Sequence, residues 1–333
     1  TPLYSSAASD VYKRQLVNFD EKTARNIDHN IPSVQVGQGG LLDIIIHEQF
    51  LYASFSKKND KEEYTTAIGR GILSEDYSKI SEFEIIFEAL PYFKETVHFG
   101  SRLIIQDDYL YASIGERGKG VVAQELDSHA GSIIRINLDG TIPNNPFSDQ
   151  TNLDEIYMIG VRNPQGMAVS PVDNEVYITN HGPKGGDFFG KVSKGSNYGW
   201  MLVAWGGTDY DGSIIGDGSA WKPGLLKPIY RWIPSIAVSN MIFYRGDKFP
   251  ELNNKVQFIG RVKNDDFGNF FSSDIRKSNT IFNTPPIDKG PSSAHSIIFI
   301  TPDAQRTMCT YLGASIEFEP KDVNYNLIAN SKY

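Results

Sequence analysis

Residues 156–200 read IYMIGVRNPQGMAVSPVDNEVYITNHGPKGGDFFGKVSKGSNYGW. Apolar and polar positions alternate from Gly166 to Ser170 and again from Val176 to Thr179, with a turn at Pro171 to Asn174 between the two runs. Period-two alternation punctuated by Pro, Asp and Asn is the pattern of a β-hairpin. Arg162 and Asn163 precede the first strand, and His181-Gly182-Pro183 follow the second. Polar groups at strand ends, on loops held by rigid sheet, are where binding residues usually sit.

The pattern recurs upstream. GLLDIIIHEQFLYASFSKK begins at Gly40, SRLIIQDDYLYASIGERG at Ser101 and QGMAVSPVDNEVYITNHGP at Gly166. Each is an apolar strand, an acidic or amide turn and a second strand containing Tyr. A repeated all-β unit of this length argues for a propeller with enlarged blades, although spacing alone also suits a sandwich. Further strands read at Thr65 to Ile72, Phe83 to Phe87, Ser132 to Asn137 and Met241 to Tyr244. Loops read at Pro143 to Pro146 and Asp209 to Gly218.

Composition narrows the classes. The 333 residues are 40% hydrophobic and 22% charged, an ordinary globular balance. A net charge of −8 argues against nucleic acid or an anionic membrane as main partner. The single Cys309 excludes an internal disulfide framework and a Cys-based zinc site. No apolar run has the length of a membrane span.

VRNPQGMAVSP, then HGPKGGD, then GSNYGW resemble the soluble PQQ-dependent sugar dehydrogenases, the glucose/sorbosone dehydrogenase family, over residues 16–255. The resemblance implies an all-β fold, a six-bladed β-propeller of which this chain holds part, with the site in a top-face cleft. It implies PQQ (pyrroloquinoline quinone) and Ca²⁺ as cofactors, making the protein a quinoprotein. It also implies oxidation of an aldose sugar at C1 to a lactone, a separate electron acceptor, and a periplasmic or secreted location. No export signal is read in this chain.

Site residues follow from the same resemblance. His98, in HFGSRL, matches the family's HFGGRL, with Ser101 in place of Gly. Sugar oxidation needs a base for the hydroxyl proton, and neutral His suits that task. Glu116, in IGERG, stands where the family has an Asp that orients this histidine. Arg162 and Asn163 match the family's cofactor contacts; a guanidinium can pair with a PQQ carboxylate and offset charge on the quinone oxygens. Gln38 matches a glutamine near the pocket, and Trp232 and Ser235, in RWIPSIAVS, match a loop flanking the cofactor. Gly182 and Pro183 are implied as carbonyl ligands of Ca²⁺, a hard cation that accepts them. Asp187 fits the family's GGD, but the FFGKV that follows departs from its pattern.

The two ends read differently. Asp10 to Gln15, DVYKRQ, matches a translated transposon adapter, so residues 1–15 are treated as a leader. From Val256 the text is no longer blade-like, and Asp266 to Lys277 has a helical pattern. TPDAQRTMCTYLGAS resembles the PfkB-type carbohydrate kinases, the adenosine-kinase-like branch. Residues 256–333 are therefore expected to form a small α/β fragment of ribokinase-like type, with a parallel sheet and few contacts to the blades. Lys263, in GRVK, is read as part of this tail and not as the family's cofactor lysine. On this reading both modules are shortened, which weighs against activity. The rival readings are a non-catalytic propeller binding module and the remnant of a sugar or nucleoside kinase, whose phosphate-site motif is missing.

Overall fold

The computed structural model describes residues 15–18, 23–148, 151–243, 260–277, 282–300, 306–311 and 313–317. A short ribbon comes first, β1 (Gln15–Asn18) with β2 (Thr23–Asn26). Three four-stranded sheets follow. The first holds β3 (Leu41–His47), β4 (Phe50–Lys58), β5 (Tyr64–Leu73) and β6 (Ile80–Glu88) in sequence order. The second holds β7 (Gly100–Gln106), β8 (Tyr109–Ile114), β9 (Ser132–Asn137) and β10 (Ile156–Ile159). The third holds β11 (Pro164–Val169), β12 (Val176–Asn180), β13 (Asp187–Lys191) and β14 (Tyr230–Trp232).

These are propeller blades, each a meander of four strands. The three hairpins that repeat in the sequence are their first two strands. Central strands are buried on both faces, and FLYASFS in β4 is accordingly an almost unbroken buried run. The outer β6 alternates between exposed and covered positions instead. The first two blades share a core in which Tyr52, Ile68 and Phe87 meet Leu103, Leu110, Ile134 and Ile136. A buried ion pair crosses the same seam. Arg102 donates from Nη1 to Asp43 Oδ1 at 2.9 Å, and the Leu103 amide donates to Asp43 Oδ2 at 2.9 Å. Among the described residues, no strand joins the first of these sheets to the third.

The chain divides into two units, one of Thr1–Met167 with Val176–Asn240, the other of Ala168–Glu175 with Met241–Tyr333. In the second unit, α1 (Asp266–Lys277) forms over the residues whose pattern is helical. Asp265 caps it, accepting the Gly268 amide at 2.9 Å on Oδ1. Phe267 and Phe270 are exposed on this helix. Lys263 donates from Nζ to Gly290 O at 2.8 Å.

Two sequence expectations fail here. Met241 to Phe243 are not a strand, and Tyr244 lies outside the described residues. The tail strands β15 (His295–Ile300) and β16 (Arg306–Tyr311) pair antiparallel, not parallel. Only residues 301–305 connect them, whereas a parallel crossover needs about a dozen residues or more. The leader lies outside the described residues apart from Gln15, as do residues 244–259.

Candidate active site

His98 precedes β7, Glu116 follows β8, Arg162 and Asn163 precede β11, and His181 follows β12. All stand at the strand ends remote from the hairpin turns, so consecutive blades bring them together. His98 adopts a left-handed backbone with φ 51°. Such a conformation is uncommon for a side chain larger than Gly and needs outside support. Gln38 Oε1 accepts the His98 amide at 2.9 Å, and Asn163 Oδ1 accepts the Gly100 amide at 3.0 Å. Arg117 supplies the rest. Its buried guanidinium lies 3.6 Å from the Phe99 ring centroid and donates to Val97 O at 2.9 Å and Glu95 O at 2.5 Å. Burial pushes its pKa down to about 10, against the pull of Glu95 and Glu116.

His98 Nδ1 lies 2.5 Å from Glu116 Oε1, and the Gly120 amide donates to Glu116 Oε2 at 2.6 Å. Burial alone would raise the Glu116 pKa. The hydrogen bond and charge of His98, the Gly120 amide and the charge of Arg162 outweigh it and hold the carboxyl below its ordinary value. Glu116 is therefore an anion at neutral pH and can only accept, so Nδ1 carries the imidazole proton. Nε2 of a neutral His98 is then the basic nitrogen. The extra methylene of Glu over Asp does not break the pairing.

Arg162 is 5% exposed. Its backbone N–H and that of Asn163 both donate to Asn180 Oδ1, at 3.0 and 2.9 Å. Its carbonyl accepts the Glu116 amide at 2.8 Å, which ties the two motifs together. The guanidinium donates from Nη1 to Gly182 O at 3.2 Å and reaches His181 O at 3.5 Å. The rings of Trp200 and Tyr210 lie 5.4 and 5.7 Å from its Cζ. Among the described residues no carboxylate forms an ion pair with it.

The remaining candidates fall into place around Asp187, which is fully buried. Its Oδ1 accepts the Gly182 amide at 2.7 Å. Its Oδ2 accepts those of Ile236, Ala237 and Val238 at 2.9, 2.6 and 3.3 Å. Ser235 Oγ accepts the Asp187 amide at 3.3 Å, and Trp232 pairs with Asp187 across β13 and β14. Pro183 is buried in the same turn. Burial lowers the pKa of His181 despite the nearby Asp187 charge, leaving a neutral imidazole beside Arg162. Asn180 is the residue whose importance the sequence reading did not reach.

The donor set fits an anionic cofactor. A buried guanidinium with only carbonyl partners is an incompletely compensated charge, and a bound carboxylate would complete it. The set does not fit Ca²⁺ as it stands. The Gly182 carbonyl faces a guanidinium, and both oxygens of Asp187 already take amide protons. Among the described residues no group of His, Cys, Asp and Glu is placed to hold a metal ion.

Fold and site together define a propeller-type scaffold that sets a histidine–carboxylate pair beside a buried guanidinium. The family model for glucose/sorbosone dehydrogenases matches residues 13–286, past Lys255 and through α1, and the chain belongs to that family. Aldose sugar dehydrogenase YliI of Escherichia coli is 39% identical over 239 residues, covering 69% of this chain and 64% of that protein. Quinoprotein glucose dehydrogenase B of Acinetobacter calcoaceticus is 32% identical over 198 residues, 50% of this chain and 41% of that protein. The solved apo structure of the soluble E. coli aldose sugar dehydrogenase superposes with a TM-score of 0.69 at 35% identity, covering 73% of this chain and 72% of that one. The chain thus spans less than two thirds of the length of the curated relatives it matches. No described helix is long and apolar enough to cross a membrane.

Proposed function

We propose that this site oxidises an aldose at C1 to the lactone with PQQ as bound oxidant. The observation that carries the reading is the pairing of His98 with an anionic Glu116 beside the buried Arg162. PQQ, when bound, supplies the acceptor for the hydride that leaves C1. His98 Nε2 takes the C1 hydroxyl proton, and Glu116 stabilises the imidazolium that results. Gln38, Asn163 and Arg117 hold the turn that carries the base. Arg162 binds the anionic cofactor and offsets negative charge as reduction proceeds. Ca²⁺ is left out of the proposal because of the donor set around Gly182, Pro183 and Asp187. A periplasmic or secreted location and a separate electron acceptor accompany the reading. For the tail, the TPDAQRTMCTYLGAS run supports descent from a PfkB-type kinase fragment without catalytic residues.

The test is a calorimetric titration of PQQ into the wild type and Arg162→Ala. The wild type should bind, and Arg162→Ala should bind about 1.5–3 kcal/mol more weakly, the scale of a charge-assisted hydrogen bond. Equal affinities would sink the assignment of Arg162, and no binding to either protein would sink the cofactor. Reduction of a dye by wild type loaded with PQQ and given an aldose would then test the reaction itself.

A further inference from the structure

Trp200 has a buried indole N–H that the protein leaves without an acceptor. Its side chain is 4% exposed, and Nε1 has no hydrogen-bond partner among the described residues. The neighbouring Trp205 contrasts with it, since its Nε1 donates to Tyr198 O at 2.9 Å. An unsatisfied buried donor costs about 1–3 kcal/mol, so native folds seldom leave one without a purpose.

The ring cannot easily turn to find a partner. The Trp200 amide donates to Gly160 O at 2.9 Å, and Gln124 Nε2 donates to Trp200 O at 2.5 Å. Trp205 stacks on the ring at 5.6 Å between centroids, with 23° between the planes. Arg162 faces it from 5.4 Å. Two donors with unmet capacity, one of them cationic, therefore lie side by side. A trapped water would satisfy the indole but would leave the guanidinium charge uncompensated. One negatively charged oxygen group serves both.

We infer that Trp200 Nε1 is a second donor of the Arg162 pocket and binds an oxygen, carboxylate or quinone, of the same planar anion. This rests on the proposed function and adds to it an atom that the family motifs do not single out. Its consequence is orientation, because donors from two separate segments of the third blade, before β11 and between β13 and β14, restrain how the bound group turns where one guanidinium alone would leave it freer.

The experiment uses the full chain with ¹⁵N-labelled tryptophan. The chain has 4 tryptophans and so gives a distinct indole resonance for each. Trp200→Phe identifies the Trp200 signal by its loss. If that variant fails to fold, Trp205→Phe, Trp221→Phe and Trp232→Phe identify it by elimination. On titration with PQQ the Trp200 indole proton should move downfield and exchange more slowly. Trp200→Phe keeps an aromatic ring against Arg162 and should lower PQQ affinity roughly 10- to 100-fold, the scale of one hydrogen bond to a charged group. An indole resonance that stays in place while PQQ binds in an Arg162-dependent manner overturns this inference and leaves the proposed function standing. Absence of PQQ binding to the wild type overturns both.

Discussion

Glu116→Gln is the sharpest perturbation of the site because it keeps the side chain's shape while replacing one carboxylate oxygen, and its charge, with an NH₂ donor. The Glu116 carboxylate accepts twice, from His98 Nδ1 at 2.5 Å and from the Gly120 amide at 2.6 Å. A glutamine has one acceptor oxygen and one NH₂ donor. If the NH₂ faced Gly120, two buried donors would oppose each other, at about 1–3 kcal/mol. The oxygen therefore turns to Gly120 and the NH₂ meets His98 Nδ1. That nitrogen must then be unprotonated, and the imidazole proton moves to Nε2. The base is lost although no atom has shifted far. Turnover with bound PQQ should fall by a factor of about 10² to 10⁴, the usual worth of a positioned base. In the Ser-His-Asp triad the same tautomer error costs about 10⁴. PQQ affinity should hardly change, since Arg162 is untouched. Steady-state kinetics give the rate, and ¹⁵N chemical shifts of His98 give the tautomer directly. A variant in which Nδ1 still carries the proton, or in which turnover matches the wild type, would refute the account.

Two further outcomes follow from the same region. A Cβ built on Gly115 would lie 2.1 Å from His98 O and 2.9 Å from Asn163 Oδ1. Gly115→Ala should therefore push the His98 turn aside, lowering stability by about 1–3 kcal/mol in urea unfolding and reducing turnover; an unchanged midpoint would count against the close approach. Glu116 and Glu155 both titrate below their ordinary value of 4.5 in the fold, Glu116 for the reasons given and Glu155 through its hydrogen bond with His129. The unfolded chain then binds more protons in that window. Their stabilisation is complete above about pH 4.5 and is lost as pH falls through the folded values. Thermal melts from neutral pH downward should show a falling midpoint, with a shallower fall in Glu116→Gln; the reverse ordering would contradict the pKa directions.

The blades were legible because their first hairpins repeat one strand–turn–strand pattern, and repeat starts at Gly40, Ser101 and Gly166 fall within two residues of β3, β7 and β11. Met241 to Phe243 misled because three apolar residues in a row satisfy the strand pattern, although no strand forms over them. Within the site, His98 and Arg162 could be found because each sits in a local motif. Asn180 could not, since its role is to accept amides 17 and 18 residues upstream, a relation that exists only once β11 and β12 have paired. Asp187 is more instructive, since its match to the family's GGD left its partner undecided. A buried carboxylate in a Gly-rich loop can serve a cation or a ring of amides, and the choice depends on the 235–238 segment folding over it from about 50 residues away. Once those amides have taken it, the negative charge near Gly182 is spoken for. Glu116 is likewise occupied by His98 and Gly120, while Arg162 meets only carbonyl oxygens. Among the described residues, Asp187 and Glu116 are thus each held by hydrogen-bond donors, while no carboxylate is hydrogen-bonded to Arg162, and an anionic ligand would fill that place.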